Sequence, residues 1–101
     1  MVIYVDIDGT ICDTPWYNGK WDYHNSEPKK QEIEKINKLY DEGHEIVYWT
    51  ARGSGSGLDW ASFTKYQLNT WSCKYTRIEK LKKPSFDLFI DDKCKRIEEL
   101  E

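Results

Sequence analysis

The sequence lacks the features that mark several common classes of protein. Its 101 residues contain no apolar run of transmembrane length, and the first residues do not form the charged-then-apolar pattern of a signal peptide. Acidic and basic residues are interspersed, with a formal net charge of −3, so a basic surface that binds nucleic acid is not expected. These absences predict a soluble, cytoplasmic protein without a membrane or nucleic-acid partner.

The sequence also lacks paired cysteines, and the spacing of its three cysteines argues against their commonest structural uses. Cys12, Cys73 and Cys94 are odd in number and contain no C-x-x-C pair, which argues against a structural zinc site and favours reduced thiols. Cys12 lies close to two carboxylates in the sequence. We expect a small buried side chain there, and a reactive thiol is the alternative.

The length predicts one domain, residues 1–101, with a single core. Aromatic residues are abundant, with five Trp and seven Tyr. Most of these rings are expected in the core or at its edge, and the rest are available to line a pocket.

What the sequence does contain is an apolar strand that runs into two carboxylates. Residues 2–5 have the Val, Ile and Tyr composition of a buried strand, and Asp6 and Asp8 follow. Because side chains alternate along a strand, both acids point the same way if the strand continues. Two such charges repel unless a cation or a shared proton holds them. The pattern predicts a Mg²⁺-dependent phosphoryl-transfer site with Asp6 as nucleophile; the alternative is a strand that enters a polar turn.

The next segments predict a parallel α/β sheet. Residues 12–27 form a loop or a short hairpin, rich in aromatic residues, that is a candidate lid. Pro28 opens a helix with one apolar face, Gly43 stops it, and residues 45–50 form a second buried strand. Strand, helix and strand in this order favour a parallel pair with a right-handed crossover.

The second half of the chain continues the alternation. Residues 53–57 are a glycine-rich loop without a known phosphate-binding consensus, so a linker is expected and a phosphate cradle is the alternative. A helix follows, and residues 75–78 form a short third strand. Residues 86–90 form a strong fourth strand before a closing helix. The apolar face expected to pack the first of these helices into the core consists of Trp60, Phe63, Leu68 and Trp71.

Three of the predicted strands end in chemically capable side chains. In an open parallel sheet the carboxyl ends of the strands meet at one crevice. Carboxylates there suit a hard cation such as Mg²⁺, while basic groups neutralise a transferring phosphoryl group. These side chains are Asp6 and Asp8 after the first strand, Thr50 and Arg52 after the second, and Asp91 and Asp92 after the fourth.

The same residues resemble a known superfamily. Residues 6–10 resemble the D-x-D-G-T signature of the haloacid dehalogenase-like phosphatases, and Thr50, Lys83 and the pair Asp91 and Asp92 resemble its second, third and fourth motifs in order. The T-A-R-G stretch and the K-P…F-I-D-D-K ending resemble the small capsule-biosynthesis phosphatases most, and the phosphatase domain of polynucleotide kinases more distantly. The resemblance implies a small Rossmann-like three-layer fold with a short parallel sheet and a minimal cap or none.

The resemblance also implies how the reaction is divided among the residues. Asp6 would attack phosphorus and form an aspartyl-phosphate, and Asp8 would protonate the leaving oxygen and then activate water. That work requires Asp8 to be protonated part of the time, which we expect its crowding by other acids to favour. Thr50 and Lys83 would hold the phosphoryl oxygens, with Lys80 and Lys82 as rivals for the role of Lys83.

Metal and substrate contacts follow from the same motifs. The Asp6 carboxylate, the backbone carbonyl of Asp8 and Asp91 would bind Mg²⁺. Asp92 would bind it through water or orient a basic side chain. Which of Asp91 and Asp92 contacts the metal directly stays open. The substrate contacts implied by the motifs come from Gly9, Thr10 and Arg52, although Arg52 is equally suited to brace the acids.

The chain departs from most of the family because it has no room for a cap domain. The open site would be covered by a neighbour in a homo-oligomer, by the loop around His24, or by nothing. We expect His24 to be an ordinary surface residue, with a substrate contact as the alternative. The predicted function is Mg²⁺-dependent hydrolysis of a phosphomonoester, a sugar phosphate of polysaccharide biosynthesis. A nucleic-acid 3′-end phosphatase and a non-catalytic binding module on the same fold are the alternatives.

Overall fold

A computed structural model describes residues 1–53 and 59–80 of the chain. Strand β1 (Val2–Asp6) starts the main sheet, and four short strands follow it: β2 (Cys12–Asp13), β3 (Trp16–Tyr17), β4 (Lys20–Trp21) and β5 (Glu27–Pro28). Helix α1 (Lys30–Asp41), strand β6 (Glu45–Thr50), helix α2 (Ala61–Thr70) and strand β7 (Arg77–Lys80) complete the described part.

The predicted short parallel sheet is confirmed. Strand β6 lies between β1 and β7 and pairs in parallel with both. Alternation places Ile46 and Tyr48 of β6 on the face that carries the core, together with Ile36 of α1 and Leu68 of α2. Burial of these apolar side chains holds both helices to that face. The three-layer prediction also requires a helix on the other face, and the closing helix predicted for that role lies outside the described residues.

Several element boundaries differ from those predicted. Helix α1 begins at Lys30 because Pro28 belongs to β5, where it pairs with Cys12. The third strand lies two residues later than expected, at Arg77–Lys80. The predicted strand at 86–90, the closing helix and most of the glycine-rich loop lie outside the described residues.

The segment between β1 and α1 is a set of tight turns rather than a domain. Strands β3 and β4 form a hairpin whose turn residues, Asn18 and Gly19, both have positive φ angles of 51° and 77°. This backbone suits a two-residue hairpin, and Asn-Gly is the dipeptide that adopts it most readily. The ladder of β2 and β5 and a 3₁₀ turn, Tyr23–Asn25, complete the segment. The prediction of a short hairpin is confirmed.

No helix in residues 1–53 or 59–80 is long and apolar enough to cross a membrane.

Candidate active site

Asp6 lies at the carboxyl edge of the sheet, at the last position of β1. Its register partner is Trp49, the penultimate residue of β6, so Thr50 ends the neighbouring strand at the same edge. The Asp6 side chain is exposed, and its Oδ1 accepts a hydrogen bond of 2.9 Å from the backbone N–H of Ile7. The structure therefore brings Asp6 and Thr50 to one edge, as predicted for neighbouring parallel strands.

The next acid, Asp8, lies inside a tight turn that begins at Ile7. The carbonyl of Ile7 accepts hydrogen bonds from the backbone N–H groups of Thr10 and Ile11, at 3.1 and 3.0 Å. The N–H of Gly9 donates to the carbonyl of Cys12 at 2.9 Å, and Gly9 has a φ of 85°. Because both amides are used inside the turn, Gly9 and Thr10 shape the backbone. A substrate contact by either of them stays a prediction.

Asp8 is held by a buried arginine. Arg52 donates from Nε to Asp8 Oδ2 at 2.9 Å and from Nη2 to Oδ1 at 2.8 Å. Thr14 Oγ1 donates to the same Oδ1 at 2.6 Å. The Arg52 side chain is only 1% exposed and that of Asp8 is 26% exposed. This two-point geometry is the strongest arrangement that a guanidinium and a carboxylate can form.

The remaining face of the Arg52 guanidinium is held by α2 and by the 3₁₀ turn. Nη1 donates to Gln67 Oε1 at 2.6 Å and to Thr64 Oγ1 at 3.3 Å. The ring of Tyr23 covers the guanidinium, with 4.6 Å from Cζ to the ring centroid. Of the two roles considered for Arg52, the bracing of an acid matches this geometry. A contact with substrate stays a prediction.

The expectation that crowding by acids would favour protonation of Asp8 is not met among the described residues. Burial by itself would raise the pKa, but the hydrogen bonds from Arg52 and Thr14 and the charge of Arg52 hold it below its ordinary value. Among the described residues, the charged group that contacts Asp8 is the Arg52 cation, so these residues do not favour a protonated resting Asp8. The acids Asp91 and Asp92, expected to crowd it, lie outside the described residues.

Thr50 is buried at the end of β6, with 4% of its surface exposed. Its Oγ1 accepts the backbone N–H of Arg52 at 3.0 Å, which leaves the hydroxyl proton as a donor. A cavity of about 180 Å³ opens beside it, between β6, β7 and the first turns of α2. Its walls include Thr50, Arg52, Trp60, Thr64, Lys65 and Ile78.

The aromatic face predicted for α2 is only partly in the core. Leu68 is fully buried, whereas Trp60 and Phe63 are half-buried and pack against the 3₁₀ turn. The Trp60 ring meets that of Tyr23 at 4.9 Å, and the Phe63 ring meets that of His24 at 4.5 Å. His24 is exposed, but its ring helps to dock the turn on α2. Sequence reasoning missed the buried polar residues of this helix, Thr64 and Gln67.

The oxygen atoms near Asp6 fit a hard cation. The Asp6 carboxylate and the backbone carbonyl of Asp8 are oxygen ligands of the kind that Mg²⁺ prefers, whereas the Asp8 carboxylate is engaged with Arg52. Within residues 1–53 and 59–80 no group of three or more His, Cys, Asp or Glu side chains forms a metal site. The other predicted site residues, Asp91, Asp92 and Lys83, lie outside the described residues.

Comparison with known proteins shows a fold relationship. No protein-family model matches the chain, and no curated protein matches it significantly. The chain is similar to the crystal structure of a structural-genomics target protein from Vibrio cholerae, with a TM-score of 0.78 and 25% sequence identity. The match covers 97% of this chain and 85% of that one. The likeness shows a shared small α/β fold.

Proposed function

We propose that the protein is a Mg²⁺-dependent phosphomonoester hydrolase that acts through an aspartyl-phosphate on Asp6. The observation that supports this best is the difference in surroundings between the two acids of the D-x-D stretch. Asp6 is exposed at the sheet edge, whereas Asp8 is partly buried and fixed by Arg52. An exposed carboxylate beside an oriented one is the arrangement expected for a nucleophile and an acid–base group.

In the proposed reaction, a carboxylate oxygen of Asp6 attacks phosphorus and the bond to the leaving alcohol breaks. Asp8, which takes up a proton from solvent when the substrate binds, gives that proton to the alcohol oxygen. A water molecule then attacks phosphorus, Asp8 takes its proton, and the bond between phosphorus and Asp6 breaks to release phosphate. The negative charge of the bound phosphate raises the pKa of Asp8 from its resting value, which opposes the effect of Arg52.

Other side chains bind the transferring group. The hydroxyl of Thr50, at the same sheet edge, is proposed to donate to a phosphoryl oxygen, and Lys83 to neutralise its charge. Mg²⁺ would be held by Asp6, the Asp8 carbonyl and one of Asp91 and Asp92. When bound, it supplies positive charge that reduces the repulsion between the Asp6 carboxylate and the phosphate.

The proposed substrate is a sugar phosphate of polysaccharide biosynthesis in the cytoplasm. Its support is the resemblance of the T-A-R-G stretch and of the F-I-D-D-K ending to capsule-biosynthesis phosphatases. The segment between β1 and α1 adds only short ladders and a 3₁₀ turn beside the site. A segment this short adds no cap domain between β1 and α1, which is compatible with a large substrate or with cover by a second copy of the chain.

The test is hydrolysis of p-nitrophenyl phosphate by the full chain, with Mg²⁺ and with a chelator. We expect turnover only with Mg²⁺, and a loss of at least about a thousandfold in Asp6→Asn because the nucleophile is removed. Asp41→Asn is the matched control, since Asp41 is an exposed acid that pairs with Lys74. Equal rates for wild type and Asp6→Asn would refute the assignment.

A panel of phosphoesters then decides the substrate class. Preferred turnover of sugar phosphates supports the proposal. Preferred turnover of a 3′-phosphorylated oligonucleotide would replace it with nucleic-acid end processing. The absence of turnover across the panel would favour a binding module on the same fold.

A further inference from the structure

A continuous set of contacts connects the 3₁₀ turn, Tyr23–Asn25, to the carboxylate of Asp8. The link between the two is Gln67 of α2, whose side-chain amide is used at both ends. Its Oε1 accepts from Arg52 Nη1 at 2.6 Å, and its Nε2 donates to the backbone carbonyl of Tyr23 at 2.7 Å. Only this orientation of the amide satisfies both neighbours, because a guanidinium only donates and a carbonyl only accepts.

The linked groups are shielded from water. Gln67 is 6% exposed, and Arg52 is 1% exposed under the ring of Tyr23. Hydrogen bonds in such surroundings are costly to leave unmade, since neither partner can turn to solvent instead. Loss of the Gln67 amide would therefore leave Arg52 Nη1 poorly paired inside the protein.

We propose that Gln67 is a positioning residue for the acid–base group. It ties the 3₁₀ turn to Arg52, so that the docking of the turn on α2 and the orientation of the Asp8 carboxylate are set together. This inference rests on the proposed function, in which Asp8 transfers the proton.

The geometry of the guanidinium explains why the tie matters. The group is planar and rigid, with Nε and Nη2 facing Asp8 while Nη1 faces Gln67. A guanidinium held at Nη1 cannot rotate in its plane, so the two bonds to Asp8 keep their direction. Without Gln67, the weaker 3.3 Å contact with Thr64 is the remaining bond of Nη1 among those given above.

The first test compares Gln67→Met with wild type in the hydrolysis of p-nitrophenyl phosphate. Met keeps the volume and removes both hydrogen bonds. We expect kcat to fall by about tenfold or more while KM changes by less than about twofold, because orientation of the acid matters more to the transition state than to binding. The matched control is Gln31→Met, at an exposed glutamine of α1. A wild-type kcat in Gln67→Met would overturn the proposal.

Gln67→Glu separates the two ends of the amide. It keeps the oxygen that accepts from Arg52 and loses the donor to the Tyr23 carbonyl. We expect the backbone N–H groups of Asn25 and Ser26, which close the turn, to exchange with solvent faster than in wild type. We also expect kcat to fall, by less than in Gln67→Met. Faster exchange in the turn with an unchanged kcat would refute the coupling between the turn and the orientation of Asp8. Unchanged exchange would refute the role of Gln67 in holding the turn. This variant also serves if Gln67→Met does not fold.

A third readout needs no catalysis and separates this inference from the proposed function. The Nε–H resonance of Arg52 is expected to be well resolved and slow to exchange in wild type, because Asp8 accepts from it in a buried site. In Gln67→Met it should shift and exchange faster, with no change in Gln31→Met. If wild type hydrolyses no phosphoester, the proposed function fails, and this resonance decides whether Gln67 sets the orientation of Arg52 against Asp8. An unchanged resonance in Gln67→Met would then refute it.

Discussion

The guanidinium of Arg52 grips the carboxylate of Asp8 through two N–H···O bonds of 2.9 and 2.8 Å, across 44 positions of sequence. The pair joins the turn after β1 to the segment after β6. The two partners differ in burial, since the Arg52 side chain is 1% exposed and that of Asp8 is 26% exposed. Loss of the acid would leave a buried cation without its counter-ion, so the consequences for stability can be measured.

Asp8→Asn is expected to lower the free energy of unfolding by about 3 kcal/mol, because it leaves the buried charge of Arg52 uncompensated. Urea denaturation at pH 7 measures this change. The control is Asp41→Asn, which removes an exposed ion pair with Lys74 and should cost less than about 1 kcal/mol. Similar losses in both variants would contradict the special weight of the Asp8–Arg52 pair.

The stability that Asp8 contributes should depend on pH in one direction. Its pKa is lower in the folded chain than its unfolded value of about 3.9, so the contribution is complete above about pH 5 and declines as the pH falls through the folded pKa. The difference in unfolding free energy between wild type and Asp8→Asn should therefore shrink on acidification. Urea titrations at a series of pH values below 6 measure it, and a difference that grows towards low pH would contradict the prediction.

The thiols of Cys12 and Cys73 should react slowly in the folded protein. Burial raises the pKa of each to about 11, so the thiolate is scarce at neutral pH. In a Cys94→Ser background, we expect Ellman's reagent at pH 7.5 to label neither thiol in native buffer and both in urea. Rapid labelling of Cys12 in native buffer would instead support the alternative of a reactive thiol beside Asp8.

Tyr48→Phe should keep or increase stability. The ring is fully buried, and among the described residues its hydroxyl meets no hydrogen-bonding group other than the weakly polar thiol of Cys73. Removing a poorly satisfied buried hydroxyl is expected to raise the free energy of unfolding by up to about 1 kcal/mol. Tyr75→Phe is the matched control, because its exposed hydroxyl donates to Asn69 at 2.9 Å. Thermal and urea denaturation measure both, and a loss above about 1 kcal/mol in Tyr48→Phe would show that the contact with the Cys73 thiol is a stabilising hydrogen bond.

The sheet was predictable from the sequence because its signals are local. Residues 2–5 and 45–50 are apolar runs rich in β-branched and aromatic side chains, and the helix between them has one apolar face. The hairpin has a local signal of the same kind, since Asn18 and Gly19 stand between two pairs of strand residues. Such patterns act over a few residues and do not depend on the rest of the fold.

The partners of Arg52 were not predictable in the same way. Its position after a strand was clear, but Thr64 and Gln67 come from a helix whose polar residues look like a solvent face. They are buried because the 3₁₀ turn covers that side of α2, and this contact joins segments 44 residues apart. The prediction that the aromatic side chains beside α2 pack in the core was only partly right for the same reason, because Trp60 and Phe63 pack against the turn.

The link between Asp8 and α2 has a consequence for the order of events during synthesis. Asp8 leaves the ribosome early, but the groups that hold Arg52 against it arrive only with position 67. Until then the acidic turn cannot acquire its final geometry, however well its own hydrogen bonds form. In a nascent chain halted before α2, Asp8 should therefore remain hydrated. Its pairing with Arg52 should form late, as a single step that depends on contacts distant in sequence.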